Sequence, residues 1–317
     1  MSDIHERELP PVPPVVAAEQ LATGGEVAVG APATGIPGQD RSQRIKQIVV
    51  YVLLFFVSLL FFIPFFWSVT TSLKTLPESV GFNLLPANPS LRAYREALTT
   101  YDFKSYFLNS VFLATGVTIF NLFLSSLGGY AFARLRFPGR EVLFFLVLGT
   151  LMIPNELRLV PVFQMLIDFP VVHTQLLGTY QGYFLINLVT ATSLFLMRQY
   201  FLTIPRDYEE AAKLDGAGYF KTYWRVMLPL AGPALAAVTI LTFQGTWNDF
   251  FWPLIIFLGD ESKYTLPLGI FQFRTQFYTQ WPELMAASVI AIVPIALIYV
   301  FFQRYFVAGV TAAGVKG

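Results

Sequence analysis

The sequence predicts an all-α, polytopic membrane protein with six transmembrane helices. Composition is the first reason. Of 317 residues, 55% are hydrophobic and only 13% charged, and mean hydropathy is +0.57; so few charges cannot solvate a globular surface, and a bilayer is the simplest solvent. Apolar runs able to cross about 30 Å of hydrocarbon then recur along the chain. Between them stand connections carrying charge, Pro and Gly, which stop helices and stay in water. There is no cysteine, which excludes disulfide scaffolds, thiolate metal sites and cysteine nucleophiles. A net charge of +1, with basic residues scattered at segment ends, argues against nucleic acid as a partner.

Residues 1–44 read as a disordered amino-terminal tail, mixing Pro10-Pro11-Val12-Pro13-Pro14 with Gly, Ala and few charges. Asp3, Glu6 and Glu8 stand where the basic region of a secretory signal would lie. Residues 45–317 form the transmembrane domain. Its first span, about 48–73, runs from Ile48 to Leu73 without a charge, longer than the hydrocarbon core requires. Further spans are expected at about 107–133, 142–166, 179–200, 231–258 and 283–304. The third is the least regular, because Pro154, Glu156 and Arg158 interrupt it, so a kink or an end is expected there. Counted from Val142 at about 1.5 Å per residue, Glu156 falls about 21 Å across, in the outer third of the membrane. Six spans put both termini on one side. That side holds thirteen Lys and Arg, including Arg44, Arg134, Arg140, Arg198, Arg206 and Arg304, against seven on the other, so both termini are expected in the cytoplasm.

The longest connection on that side carries a hairpin at about 205–229. Pro205 stops the preceding helix, Asp207 can cap a short one with Glu210 three residues on, and Gly216 and Gly218 end it. A second helix places Phe220, Tyr223, Trp224 and Met227 on one apolar stripe before Leu228-Pro229 breaks it. An amphipathic hairpin resting on lipid headgroups would share the stripe. Glu210-Ala211-Ala212, then Gly216, then Val226-Met227-Leu228-Pro229 matches E-A-A-x3-G-x9-I-x-L-P, with Val226 for Ile. The chain thereby resembles the permease subunits of type I ABC importers. The resemblance implies that the first short helix seats in a groove of a separate ATPase subunit, and that Glu210, Ala211, Ala212, Asp215, Gly216, Leu228 and Pro229 couple the two. Small Ala and Gly allow a close backbone approach, and an acid near the helix start suits a cationic contact.

Residues 45–317 are similar to the second permease of the carbohydrate-uptake branch. Asn109-Ser110, Tyr130-Ala131-Phe132-Ala133-Arg134, Phe137-Pro138-Gly139, Trp247-Asn248-Asp249-Phe250, Pro253-Leu254 and the tail from Val307 carry this likeness; the amino-terminal extension lies outside it. It implies the type I ABC importer permease fold and half of a path for a sugar or oligosaccharide. Partners would be a second homologous permease, an ATPase dimer holding ATP and Mg, and an extracytoplasmic solute-binding protein, all at the cell (inner or plasma) membrane. No phosphate-binding loop precedes a lysine in this chain. His5 and His173 are its two histidines, too few and too peripheral for a metal or proton-relay cluster in the spans, so neither catalysis nor a bound cofactor is expected here.

A sugar path needs amides or carboxylates for hydroxyl groups and aromatic faces for the apolar ring faces. Gln244, Trp247, Asn248 and Asp249 in span five, Asn187 in span four and Glu156 in span three are the candidates, since intramembrane polar groups are costly unless they face a cavity or a partner helix. Amides equally glue helices together, and Trp247 equally suits an interfacial belt. A solitary ion-coupled carrier is the rival reading, but it calls for paired midplane acids or bases and often internal repeats. Within the family, glycerol phosphate is an alternative cargo.

Overall fold

In the computed structural model, residues 41–170, 173–274 and 279–314 are described; the tail expected at 1–44 lies outside them except for its last four residues, which open the first helix. Two compact units divide after Leu60. α1 (Arg41–Ser72) is a 32-residue apolar helix containing Pro64. Short α2 (Leu76–Ser79) and α3 (Arg92–Thr100) lead to α4 (Phe103–Arg134), where Asp102 accepts the Ser105 N–H as N-cap. α5 (Arg140–Gly149) and α6 (Leu159–Ile167) are separated by 3-10 turns, and α7 (Tyr180–Asn187) precedes α8 (Ala191–Thr203). α9 (Asp207–Leu214) and α10 (Tyr219–Thr222) form the hairpin, whose second arm continues through α11 (Leu228–Leu230). α12 (Gly232–Trp247), α13 (Phe251–Ile256), α14 (Leu266–Phe271) and α15 (Trp281–Gly314) complete the chain.

Three helices, over 44–72, 103–134 and 281–303, are long and apolar enough to cross a bilayer as single rods. Three further pairs meet that length only as bent units: Arg140–Met152 with Asn155–Ile167 at 103°, Tyr180–Asn187 with Ala191–Thr203 at 43°, and Tyr219–Leu230 with Gly232–Trp247 at 78°. Six crossings therefore require each bent pair to be one crossing. The third bend falls at Ala231, where Pro229 and Pro233 each occupy the first turn of a new helix; the first two bends, and a further break after Trp247, also have local causes. Pro154 has no N–H and forces Ile153 into extended backbone (φ −93°, ψ 112°), so a straight count of rise to Glu156 does not hold. Thr190 is extended and accepts the Ser193 N–H, capping a fresh helix inside an apolar run. The stretch 231–258, read as continuous, instead ends at Trp247; Asp249 Oδ1 accepts the Trp252 N–H and starts α13.

α4 is the central strut, packed against α8 and α12. Its Gly129 lies so close to α8 that a Cβ there would come within 2.6 Å of Met197 Cβ and 2.9 Å of the Arg198 backbone nitrogen. Where surrounding lipid is as apolar as any side chain, such close backbone approach is what holds helices together. Tyr130, Met197, Phe201, Tyr223 and Met227 form a buried cluster at this end. At the other end of α4, Asn109 Nδ2 donates to the Ser262 and Tyr264 carbonyls and its Oδ1 accepts from Tyr180 Oη, while Ser110 Oγ accepts the Leu266 N–H. The Asn109-Ser110 pair thus clamps a loop onto the strut.

Gly129→Ala is expected to destabilise the protein by about 1–3 kcal/mol, because backbone atoms have to give way. Gly149→Ala, with open space at its Cβ, is expected to change little, about 0.5 kcal/mol in either direction. Thermal unfolding of the two variants in detergent, compared with the parent, checks the contrast.

Candidate functional site

The hairpin is rigidly terminated. α9 starts one residue earlier than a cap at Asp207 requires: Arg206 is already helical (φ −69°, ψ −22°) and its carbonyl accepts the Glu209 and Glu210 N–H groups. Asp207 is therefore the first helical residue and makes no capping box with Glu210, although Asp207, Glu209 and Glu210 still complement the helix dipole. At the other end Gly216 adopts φ 73°, its N–H bonds the Lys213 carbonyl at 2.9 Å, and the Ala217 N–H bonds the Ala212 carbonyl at 2.9 Å. This is a Schellman closure, which the left-handed conformation of glycine permits. Glu210, Ala211, Asp215 and Gly216 are exposed, whereas Ala212 is buried against the body.

The aromatic stripe does not stay on one face. Tyr223–Met227 form a π turn, whose wider winding shifts the register. Tyr223 and Met227 are fully buried, the former with its hydroxyl 2.8 Å from Ser126 Oγ; Phe220 and Trp224 stay outside, stacked at 14°. The expected break at Leu228-Pro229 falls instead at Ala231, since Pro229 occupies the first turn of α11, where its missing N–H is not needed. Between α9 and this arm lies a groove of about 380 Å³ lined by Tyr208, Ala211, Asp215, Lys221, Arg225 and neighbours.

One hairpin residue is not signalled by the sequence pattern. Glu209, adjacent to Glu210, turns inward and pairs with Arg134 at the end of α4, Nη1 to Oε2 3.7 Å, both side chains being largely buried. A helix turns about 100° per residue, so two consecutive acids face different surroundings. A basic residue closing an apolar span was the available signal.

A second feature is a cavity of about 820 Å³ bounded by α4, α8 and α12 and by three interruptions of regular helix, those after Met152, Asn187 and Trp247. Ile153, Pro154, Asn155 and Arg158 enter it from the first break, Asn187, Val189 and Thr190 from the second, and Asp249 from the third. Thr192, Ser193, Thr242 and Thr246 add hydroxyls. Asp249 accepts from Tyr183 Oη at 2.8 Å, and Asn187 Nδ2 donates to the Tyr183 carbonyl at 3.0 Å. Of the six candidates for a solute path, Asn187 and Asp249 line the cavity. Gln244, Asn248 and Glu156 do not, and are exposed on the isolated chain. Trp247 is 2% exposed; it stacks on Phe243 and donates its indole N–H to the Ala291 carbonyl at 3.1 Å, fastening α12 to α15. It is a core anchor and lines neither this cavity nor the hairpin groove. Among the described residues no cluster of acids and histidines could hold a metal ion.

Comparison with known proteins gives a consistent picture. Residues 125–312 match the family described as binding-protein-dependent transport system inner membrane component. The arabinooligosaccharide transport system permease AraQ of Halalkalibacterium halodurans is 41% identical over 213 residues, 67% of this chain and 74% of that one. AraQ of Bacillus subtilis is 34% identical over 279 residues, 86% of this chain and 97% of that one. A crystal structure of a bacterial ABC transporter involved in the import of the acidic polysaccharide alginate contains a chain of TM-score 0.72 and 28% identity, covering 85% of this chain and 99% of that one.

If Trp247 is an anchor, Trp247→Ala is expected to cost about 3–5 kcal/mol, Trp247→Phe about 1–2 for the lost hydrogen bond, and Asn248→Ala under about 0.5. Melting temperatures in detergent should fall in that order.

Proposed function

Because this chain belongs to the family of binding-protein-dependent transport system inner membrane components, a family of transporter permease subunits, we propose that it forms half of the translocation path for an oligosaccharide in an ATP-driven importer. The other half comes from a second, homologous permease, and the sugar arrives on an extracytoplasmic solute-binding protein. ATP and Mg are held by a separate ATPase dimer. Both termini, and with them the hairpin, face the cytoplasm, in keeping with the excess of Lys and Arg on that side.

The observation that carries this reading is the hairpin. α9 is short, closed at its end by the Gly216 turn, and presents Glu210, Ala211, Asp215 and Gly216 outward beside a groove carrying Lys221 and Arg225. A partner's surface reaches its backbone with no side chain in the way at Gly216, and charges of both signs give it register. The cavity supports an oligosaccharide as cargo, since hydroxyls, two amides, one carboxylate and the Arg158 guanidinium around one space suit repeated sugar hydroxyls. The names of both AraQ relatives point to the same class.

Glu210→Gln and Gly216→Val, the latter straining the left-handed turn by about 1–2 kcal/mol, are expected to lower sugar taken up per ATP hydrolysed by about tenfold, with the protein still inserted. Uptake and ATP turnover of the whole complex in proteoliposomes measure this ratio. Parental uptake by both variants would contradict the role given to α9.

A further inference from the structure

We propose that the Arg134–Glu209 ion pair is the positioning link through which movement of α9 reaches α4 and α8, and so the walls of the cavity; this rests on the importer reading above. The geometry begins at one guanidinium. Arg134 ends α4. Its Nη1 lies 3.7 Å from Glu209 Oε2 on α9, and its Nη2 donates to the carbonyls of Phe201 and Ile204, where α8 runs out of helical partners. The side chains are only 5% and 12% exposed.

Separating two buried charges leaves each uncompensated in a low-dielectric setting, so the three elements resist moving apart and shift together. Glu209 and Glu210 are consecutive: the outer acid is open to a partner and the inner one is fixed to the membrane helices. Displacement of α9 from outside therefore acts directly on Arg134. From there α4 and α8 run, locked at Gly129, to the cavity they wall with Val117 on one and Ala191, Thr192 and Ser193 on the other. The same helices thus carry the link at their ends near Arg134 and Phe201, and the path farther along, at mid-α4 and the first turn of α8. Arg198, bonded to Glu141 and to the Phe132 carbonyl, ties α8 to α5 and α4 and makes no hydrogen bond or ion pair to α9.

The chain lacks cysteine, so a reporter at Thr192, exposed on the cavity wall, is readily introduced. In the complete reconstituted complex with Thr192→Cys, maleimide labelling is measured with and without ATP, per assembled complex. An ATP-driven change of about threefold or more is expected in the parent, and its loss in Glu209→Gln, while the co-purifying ATPase stays within about twofold. Glu209→Asp, which keeps the charge on a shorter arm, should assemble and respond to an intermediate degree; it decides the matter if Glu209→Gln fails to assemble. A purely structural pair would alter assembly and leave the response per complex intact, so a parental response in Glu209→Gln, or in Glu209→Asp should it alone assemble, overturns the proposal. A parental complex whose labelling ignores ATP would instead defeat the importer reading itself.

Discussion

The approach of α4 onto α8 at Gly129, too close for even one methyl group, governs the rest of the structure. Lipid offers no hydrophobic drive for one apolar helix to prefer another, so contact has to come from fit, and fit from small residues. Once these two helices touch, Tyr130, Met197 and Phe201 create the apolar seat for Tyr223 and Met227 of the hairpin. Arg134 is brought to the end of α8 and Glu209 to Arg134. The middle of α4 and the first turn of α8 stand at the cavity.

The cavity and the broken helices explain each other. Backbone without helical hydrogen bonds is costly at membrane depth and persists where protein or a polar space satisfies it. Here the interruptions after Met152, after Asn187 and after Trp247 all deliver residues into one cavity. Pro154, Thr190 and Asp249 are the residues that make the breaks, by a missing donor in the first case and by side-chain capping in the other two. What reads as damage to three helices is thus a polar lining assembled from them.

Hydropathy alone made α1, α4 and α15 legible, because long uninterrupted apolar runs have one interpretation. The hairpin was legible from spacing, including its glycine stop, since the left-handed turn at Gly216 admits few other residues. The bends were less so. Pro154 announced one, but Thr190 and Asp249 act only when a particular amide lies within reach, which depends on the folded backbone. The π turn at Tyr223–Met227 is likewise invisible to a periodicity of 3.6, and it sends Phe220 and Trp224 away from the face assigned to them. By sequence Trp247 suits a sugar platform, because an aromatic beside Asn248 and Asp249 fits one; its burial against Phe243 and α15 is decided by tertiary packing. Glu209 carries no signal of its own in the sequence, because its neighbour Glu210 completes the recognisable pattern.

On the proposal above, this chain works as part of an ATP-driven assembly. Purification of the tagged chain from its native membrane in mild detergent, with mass spectrometry of what remains bound, tests it most directly. Recovery of an ATPase subunit together with a second, homologous permease is expected. A chain recovered alone that transports sugar after reconstitution without ATP would contradict it.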